Sequence, residues 1–150
     1  MDDKKLYNSK IIDFYIQFFS KYYPDLDIET LLKAAKIKMY EIKDPGHWFT
    51  QEQVDLFYSK ACELTQNYNL AREAGRFAAS SDALGIIKYW SLALLSPASV
   101  FSLIHKASSF LTLSTKYESH KLGATKYEVI VSPIPGAQEK PYQCENRLGF

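Results

Sequence analysis

No stretch of this sequence approaches the roughly 18 consecutive apolar residues that a membrane-crossing helix needs. Its opening, MDDKKLYNSK, also lacks the apolar segment that follows the charges of a secretory leader. A cytoplasmic domain with no membrane partner is therefore expected. Cysteine is scarce: Cys62 and Cys144 stand alone, with no Cys-x-x-Cys pair and no Cys/His cluster at ligand spacing, so neither a disulfide framework nor a zinc site has sequence support. Cys62 falls within a helical apolar pattern and reads as a small buried hydrophobe. An excess of one charge is missing as well. The 18 Lys+Arg and 17 Asp+Glu leave a net charge of +1, and they are interspersed, so no phosphate-tracking face is expected and nucleic acid is not a direct partner. The glycine patterns of dinucleotide and P-loop sites, the HExxH zincin pattern and the GxSxG nucleophile elbow are all absent.

What is present is a chain of 150 residues, the size of one domain, which buries roughly two-thirds of its unfolded surface on folding. Aromatic residues make up 15% of it, with 11 Tyr and 9 Phe, so much of that burial resides in large rings that fill a core or line a pocket.

Periodicity divides the chain into helices followed by strands. Ile11, Ile12, Tyr15, Phe18, Phe19 and Tyr22 recur at three- and four-residue spacing and predict an amphipathic helix from Asn8 to Tyr23, stopped by Pro24. Asp27 is placed to cap a short helix through about Lys36, and Lys43-Asp44-Pro45-Gly46 reads as a turn. Thr50 and Gln53 have the form of a capping box, and Val54, Phe57, Tyr58, Ala61 and Leu64 follow on one face, predicting a helix to about Gln66. Asn67 and Asn69 break and recap the chain before a helix from Leu70 through Ala79. Further helices are predicted from Ala83 to Leu95 and, opened by Ser96-Pro97, along Val100, Leu103, Ile104, Ala107, Phe110 and Leu111. Six helices thus precede any sheet.

At Thr115 the period changes to two. Lys116–Leu122 and Lys126–Val131, joined by Gly123-Ala124-Thr125, predict an antiparallel hairpin, and Tyr142 to Phe150 begins another element. The fold class expected is α+β, a mostly helical amino-terminal two-thirds followed by a hairpin, as a single domain spanning residues 1–150. A lone hairpin is marginal in water, so it is expected to pack on helices.

Few residues suggest chemistry. His47, His105 and His120 are each isolated, and no spacing pairs one with a nucleophile and an orienting acid, so no catalytic residue is assigned. His47 precedes the capping box and is expected to satisfy backbone there, beside Trp48 or Phe49 acting as a hydrophobic staple. His105 projects away from the apolar stripe of its helix. Tyr117, Ser119 and Lys121 share one strand face, where a phenol, a hydroxyl and an ammonium could together grip an anion. Arg72, Glu73 and Arg76 fall on the helical repeat that supports ion pairs, and Gly75 among them suggests close helix packing.

The order of Asn69-Leu70-Ala71-Arg72-Glu73-Ala74-Gly75-Arg76, Leu84-Gly85-Ile86, Leu95-Ser96-Pro97 and the following helix-to-hairpin passage resembles the amino-terminal sensory domains of bacterial sensor histidine kinases and AraC-type regulators. The closing Gln143-Cys144-Glu145-Asn146-Arg147-Leu148-Gly149-Phe150 is similar to the start of a late helix in 4-vinyl-reductase-type hydrocarbon-binding domains, a group related to heme nitric oxide-binding domains. In those families the domain continues through a helix and a final strand pair, so the resemblance implies that this one is incomplete at its carboxyl end and precedes an output domain. It further implies, for a heme protein, a proximal role for His105 and a propionate clamp at Tyr117, Ser119 and Lys121, with Lys in place of the family's Arg.

The expectation that follows is a non-catalytic sensory input domain, homodimeric, binding a small apolar or aromatic effector among Trp48, Phe57, Phe77, Tyr89, Trp90 and Tyr117. The alternatives are a dimerisation or partner-docking module without ligand, using an exposed aromatic face, and a heme-based gas sensor.

Overall fold

A computed structural model of the chain describes residues 4–80, 108–124 and 126–149. The elements, in order, are β1 (Lys5–Asn8), α1 (Ser9–Tyr22), α2 (Ile28–Ala34), α3 (Met39–Lys43), β2 (Trp48–Thr50), α4 (Gln51–Thr65), α5 (Leu70–Ser80), β3 (Thr115–Lys121), β4 (Tyr127–Pro133) and α6 (Pro141–Gly149). The class is α+β with a helical amino-terminal part. Among the described residues no helix is long and apolar enough to cross a membrane.

Local chemistry accounts for the helix boundaries. Asn8 caps α1 by accepting from the Lys10 amide at 3.1 Å, and Asp27 caps α2 by accepting from the Thr30 amide at 3.0 Å. At α4 the capping box is complete: the Gln53 amide donates to Thr50 Oγ1 at 3.3 Å while the Thr50 amide donates to Gln53 Oε1 at 3.1 Å. Gln66, at φ 52°, ends α4 in the left-handed region, and Asn67 then accepts from the Asn69 amide at 2.9 Å as α5 begins.

The order of elements departs from the expectation that all helices precede the sheet. β1 and β2 pair antiparallel, with Tyr7 opposite Phe49 and Asn8 opposite Trp48, so the first sheet is built before α4. These strands have four and three residues, too short for alternation to register, and their pairing arises from contacts some 40 residues apart. The turn at Asp44–His47 lies against the start of α1: Asn8 Nδ2 donates to the Pro45 carbonyl at 3.0 Å, Ser9 Oγ to the Asp44 carbonyl at 2.7 Å and the Ser9 amide to the His47 carbonyl at 2.9 Å. Asn8 and Ser9 are consequently buried with their polar groups satisfied.

The core lies between α1, α2 and α4. Phe19, Phe49, Phe57, Ile12, Leu31 and Leu70 are all essentially inaccessible to solvent, and Tyr15, Phe19 and Phe57 meet with ring centroids 5.8 to 6.3 Å apart. Cys62 is buried beside them. The β3–β4 hairpin, antiparallel from Thr115 opposite Pro133 to Lys121 opposite Tyr127, is tied to the core at its base. There the Leu113 amide donates to the Leu6 carbonyl at 2.8 Å and the Ile134 amide to the Ser114 carbonyl at 2.9 Å. Its outer part is solvated.

Candidate functional site

Helix α1 carries more rings than one face can bury. Phe18, Phe19, Tyr22 and Tyr23 occupy its last turn and cap; Phe19 points into the core, and the others turn toward α5. Between the two helices lies an open cleft of about 560 Å³ lined by Phe18, Tyr22, Tyr23, Glu73, Arg76 and Phe77. Each helix contributes through the three- and four-residue spacing that stacks side chains on one face: Phe18 with Tyr22, and Glu73 with Arg76 and Phe77.

The floor and walls are aromatic. Phe77 meets Phe18 at 5.8 Å and Tyr22 at 6.1 Å, the latter edge-on with planes at 89°, and Phe18 meets Tyr22 at 5.1 Å and Tyr23 at 5.8 Å. Phe18 is 3% exposed and Tyr22 54%, so the cleft grades from a dry floor to a wet rim. Lys21 Nζ sits over that rim, 5.4 Å from the Tyr22 ring and 5.8 Å from the Phe77 ring. Asn67 organises the opposite side, its Nδ2 donating to Tyr23 Oη at 2.9 Å and to Glu73 Oε2 at 2.8 Å.

A second polar cluster lies where α6 docks on α4, α5 and β1. Tyr142 stacks on Tyr58 with centroids 4.2 Å apart, and its hydroxyl donates to Asp55 Oδ1 at 2.7 Å. Gln51 donates through Nε2 to the same oxygen at 2.8 Å and accepts through Oε1 from the Tyr7 hydroxyl, while Gln143 Nε2 donates to Tyr7 Oη at 2.7 Å. Asn146 donates to the Ala71 carbonyl at 3.0 Å and to Tyr15 Oη at 3.4 Å, and Arg72 pairs with Glu145 at 2.5 Å. The ion pair expected within α5 is therefore replaced, for Arg72, by one to α6. Arg72 and Glu73 are adjacent on the helix and point in different directions.

This cluster is chemically quiet. Burial raises the phenols of Tyr7, Tyr15 and Tyr58, and burial together with the Asp55 carboxylate raises that of Tyr142, so all four stay protonated. Burial pushes the Cys62 thiol away from thiolate, against a smaller opposing hydrogen bond from Tyr58. Among the described residues no group of three or more His, Cys, Asp or Glu could hold a metal.

The residues singled out in sequence scatter. Phe77 lines the cleft. Phe57 is 1% exposed in the core, Trp48 is half-buried in β2 beside β1, and Tyr117 is half-buried in β3 opposite Val131. Tyr89, Trp90 and His105 lie outside the described residues, as do the helices expected from Ala83 to Leu95 and over most of the Ser96-Pro97 segment. Tyr117, Ser119 and Lys121 do share one face of the hairpin, with Ser119 and Lys121 exposed; on the other face Glu118 pairs with Lys116 at 2.6 Å. His47 lies with its ring 4.7 Å from Phe49 and its Nε2 3.9 Å from Glu41, and it is the His47 carbonyl that serves the start of α1. Phe18, Tyr22, Tyr23, Glu73 and Arg76 are cleft residues not anticipated as such. The available signal was the surplus of rings at the end of α1.

Comparison with protein-family models, with curated proteins and with solved structures finds no match for this chain.

Proposed function

We propose that this chain is a non-catalytic, cytoplasmic sensory input domain of a bacterial signal-transduction protein, and that it binds a small aromatic effector in the α1–α5 cleft. The observation that carries this reading is the cleft itself: an open depression of about 560 Å³ walled by four aromatic rings from two helices and edged by a few polar groups. The resemblance to sensory domains supports the same reading.

The mechanism follows from which helices the cleft joins. An effector touching Tyr22 and Phe77 together favours the arrangement in which α1 and α5 hold their present separation, and it shifts a population only as far as it prefers that arrangement. Helix α5 also carries the Ala71 carbonyl and Arg72 that anchor α6. A change in α5 is thus transmitted to α6 through polar contacts that can be remade.

Native mass spectrometry with an absorbance spectrum on the protein as purified tests the proposal. A stoichiometric adduct of a small aromatic or apolar compound is the expected outcome; an apo protein that also binds no member of an aromatic panel would contradict it, and a Soret band would turn the assignment to heme.

One observation favours a second reading, a dimerisation module. Leu122, Val129 and Ile130 on the hairpin are 55%, 41% and 43% exposed, with Val129 and Ile130 on its opposite faces, apolar side chains of the kind buried between subunits. Under that reading Ile130→Glu converts a dimer to a monomer in sedimentation velocity.

A further inference from the structure

The rim of the cleft is rich in donors. Arg72 is committed to Glu145, but Arg76, one turn on and exposed, forms no ion pair among the described residues, although Glu73 stands at the three-residue spacing that permits one. Glu73 instead accepts from Asn67. Tyr23 Oη likewise accepts from Asn67, and among the described residues its own proton meets no acceptor. Lys21 adds an ammonium over the Tyr22 and Phe77 rings. Among the described residues the rim therefore holds two cations, Lys21 and Arg76, against one carboxylate that is already hydrogen-bonded.

Resting on the reading of the cleft as an effector site, we propose that the effector is an aromatic carboxylate, its ring entering against Phe18, Tyr22 and Phe77 and its carboxylate accepting from Arg76. A guanidinium presents paired N–H groups in the geometry of a carboxylate's two oxygens, which a neutral amide or hydroxyl cannot match. Tyr23 O–H is placed to supply a further donor. Because Arg76 and Phe77 belong to α5 and Lys21 and Tyr22 to α1, a ligand with a ring at one end and a charge at the other contacts both helices at once. A purely apolar ligand would use the walls and leave the rim's charge unanswered. Charge complementarity selects the anion.

Isothermal titration of the full chain with phenylacetate and with phenylacetamide, its neutral near-isostere, tests this. The expected result is binding of both, with phenylacetate favoured about tenfold, the scale of a charge-assisted hydrogen-bond pair. Arg76→Gln, a change at an exposed position, should erase that preference by lowering phenylacetate affinity more than phenylacetamide affinity. Equal binding of the two probes by the unmodified protein, or a preference that persists in Arg76→Gln, would overturn the carboxylate assignment and leave the aromatic effector site standing. Binding of neither, with a concentration-dependent dimer that Phe77→Glu dissociates, would overturn both and assign the cleft to a second copy of the chain.

Discussion

The interior between α1 and α4 and the seam beneath α6 are both built largely from aromatic residues, yet they cohere by different means. Between α1 and α4 the contacts are Tyr15, Phe19 and Phe57 ring against ring, with apolar neighbours such as Ile12 and Leu31. Under α6 each ring carries a hydroxyl or faces an amide: Tyr142 on Asp55, Gln143 on Tyr7, Asn146 on Tyr15 and the Ala71 carbonyl. Apolar burial has no substitute in water, whereas each of these hydrogen bonds is worth only about 0.5 to 1.5 kcal/mol net because water offers replacements. The core therefore fixes the shape of the domain, and the seam is the element that can open without unfolding it.

The largest expected effect breaks the first side of that contrast. Phe19→Ala or Phe57→Ala leaves a cavity in a closed interior and should lower stability by about 3 to 5 kcal/mol, read as a lower denaturation midpoint with unchanged slope. Asn146→Ala should cost about 1 to 3 kcal/mol, since it removes a donor from the Ala71 carbonyl within a part-buried seam. Native-state hydrogen exchange should show that loss as faster exchange in α6, with α1 and α4 amides little changed.

A smaller effect distinguishes the two regions by pH. The phenol of Tyr142 is raised above its ordinary value of 10.0 by burial and by Asp55, so the stability it contributes is fully present below about pH 10 and is lost as pH rises through the folded-state value. Tyr15, raised by burial, adds in the same direction. Alkaline titration should thus loosen α6 above pH 10, and Tyr142→Phe should diminish that loosening, at a cost of about 0.5 to 1.5 kcal/mol near neutrality. The smallest change is chemical labelling: at pH 8 a disulfide reagent should modify exposed Cys144 rapidly and buried Cys62 slowly, the latter accelerating only under conditions that unfold the core.

Much of the helical scaffold was legible from its ends. Asp27 and Thr50 announce α2 and α4 because a capping side chain and its target amide are within three residues of one another, and the three- and four-residue spacing of its apolar residues announces α1. The hairpin was legible because seven-residue strands allow alternation to repeat. β1 and β2 were not, since a strand of three or four residues is defined by its distant partner. The seam was invisible for the same reason: Tyr7, Asp55 and Tyr142 are ordinary residues until folding brings them together across separations of 48 and 87 positions. Of the cleft, only Phe77 could be anticipated. Tyr22 belonged to the apolar stripe of α1 and read as core, and Arg76 read as half of an ion pair within α5 that the structure does not form.

The claim that an effector joins α1 to α5 is tested most directly by mapping amide chemical shifts of the labelled protein during titration with phenylacetate. The account predicts saturable shifts centred on Lys21, Tyr22, Tyr23, Glu73, Arg76 and Phe77, with smaller ones following in α6. Shifts absent from that set, or confined to the β3–β4 hairpin, would contradict it.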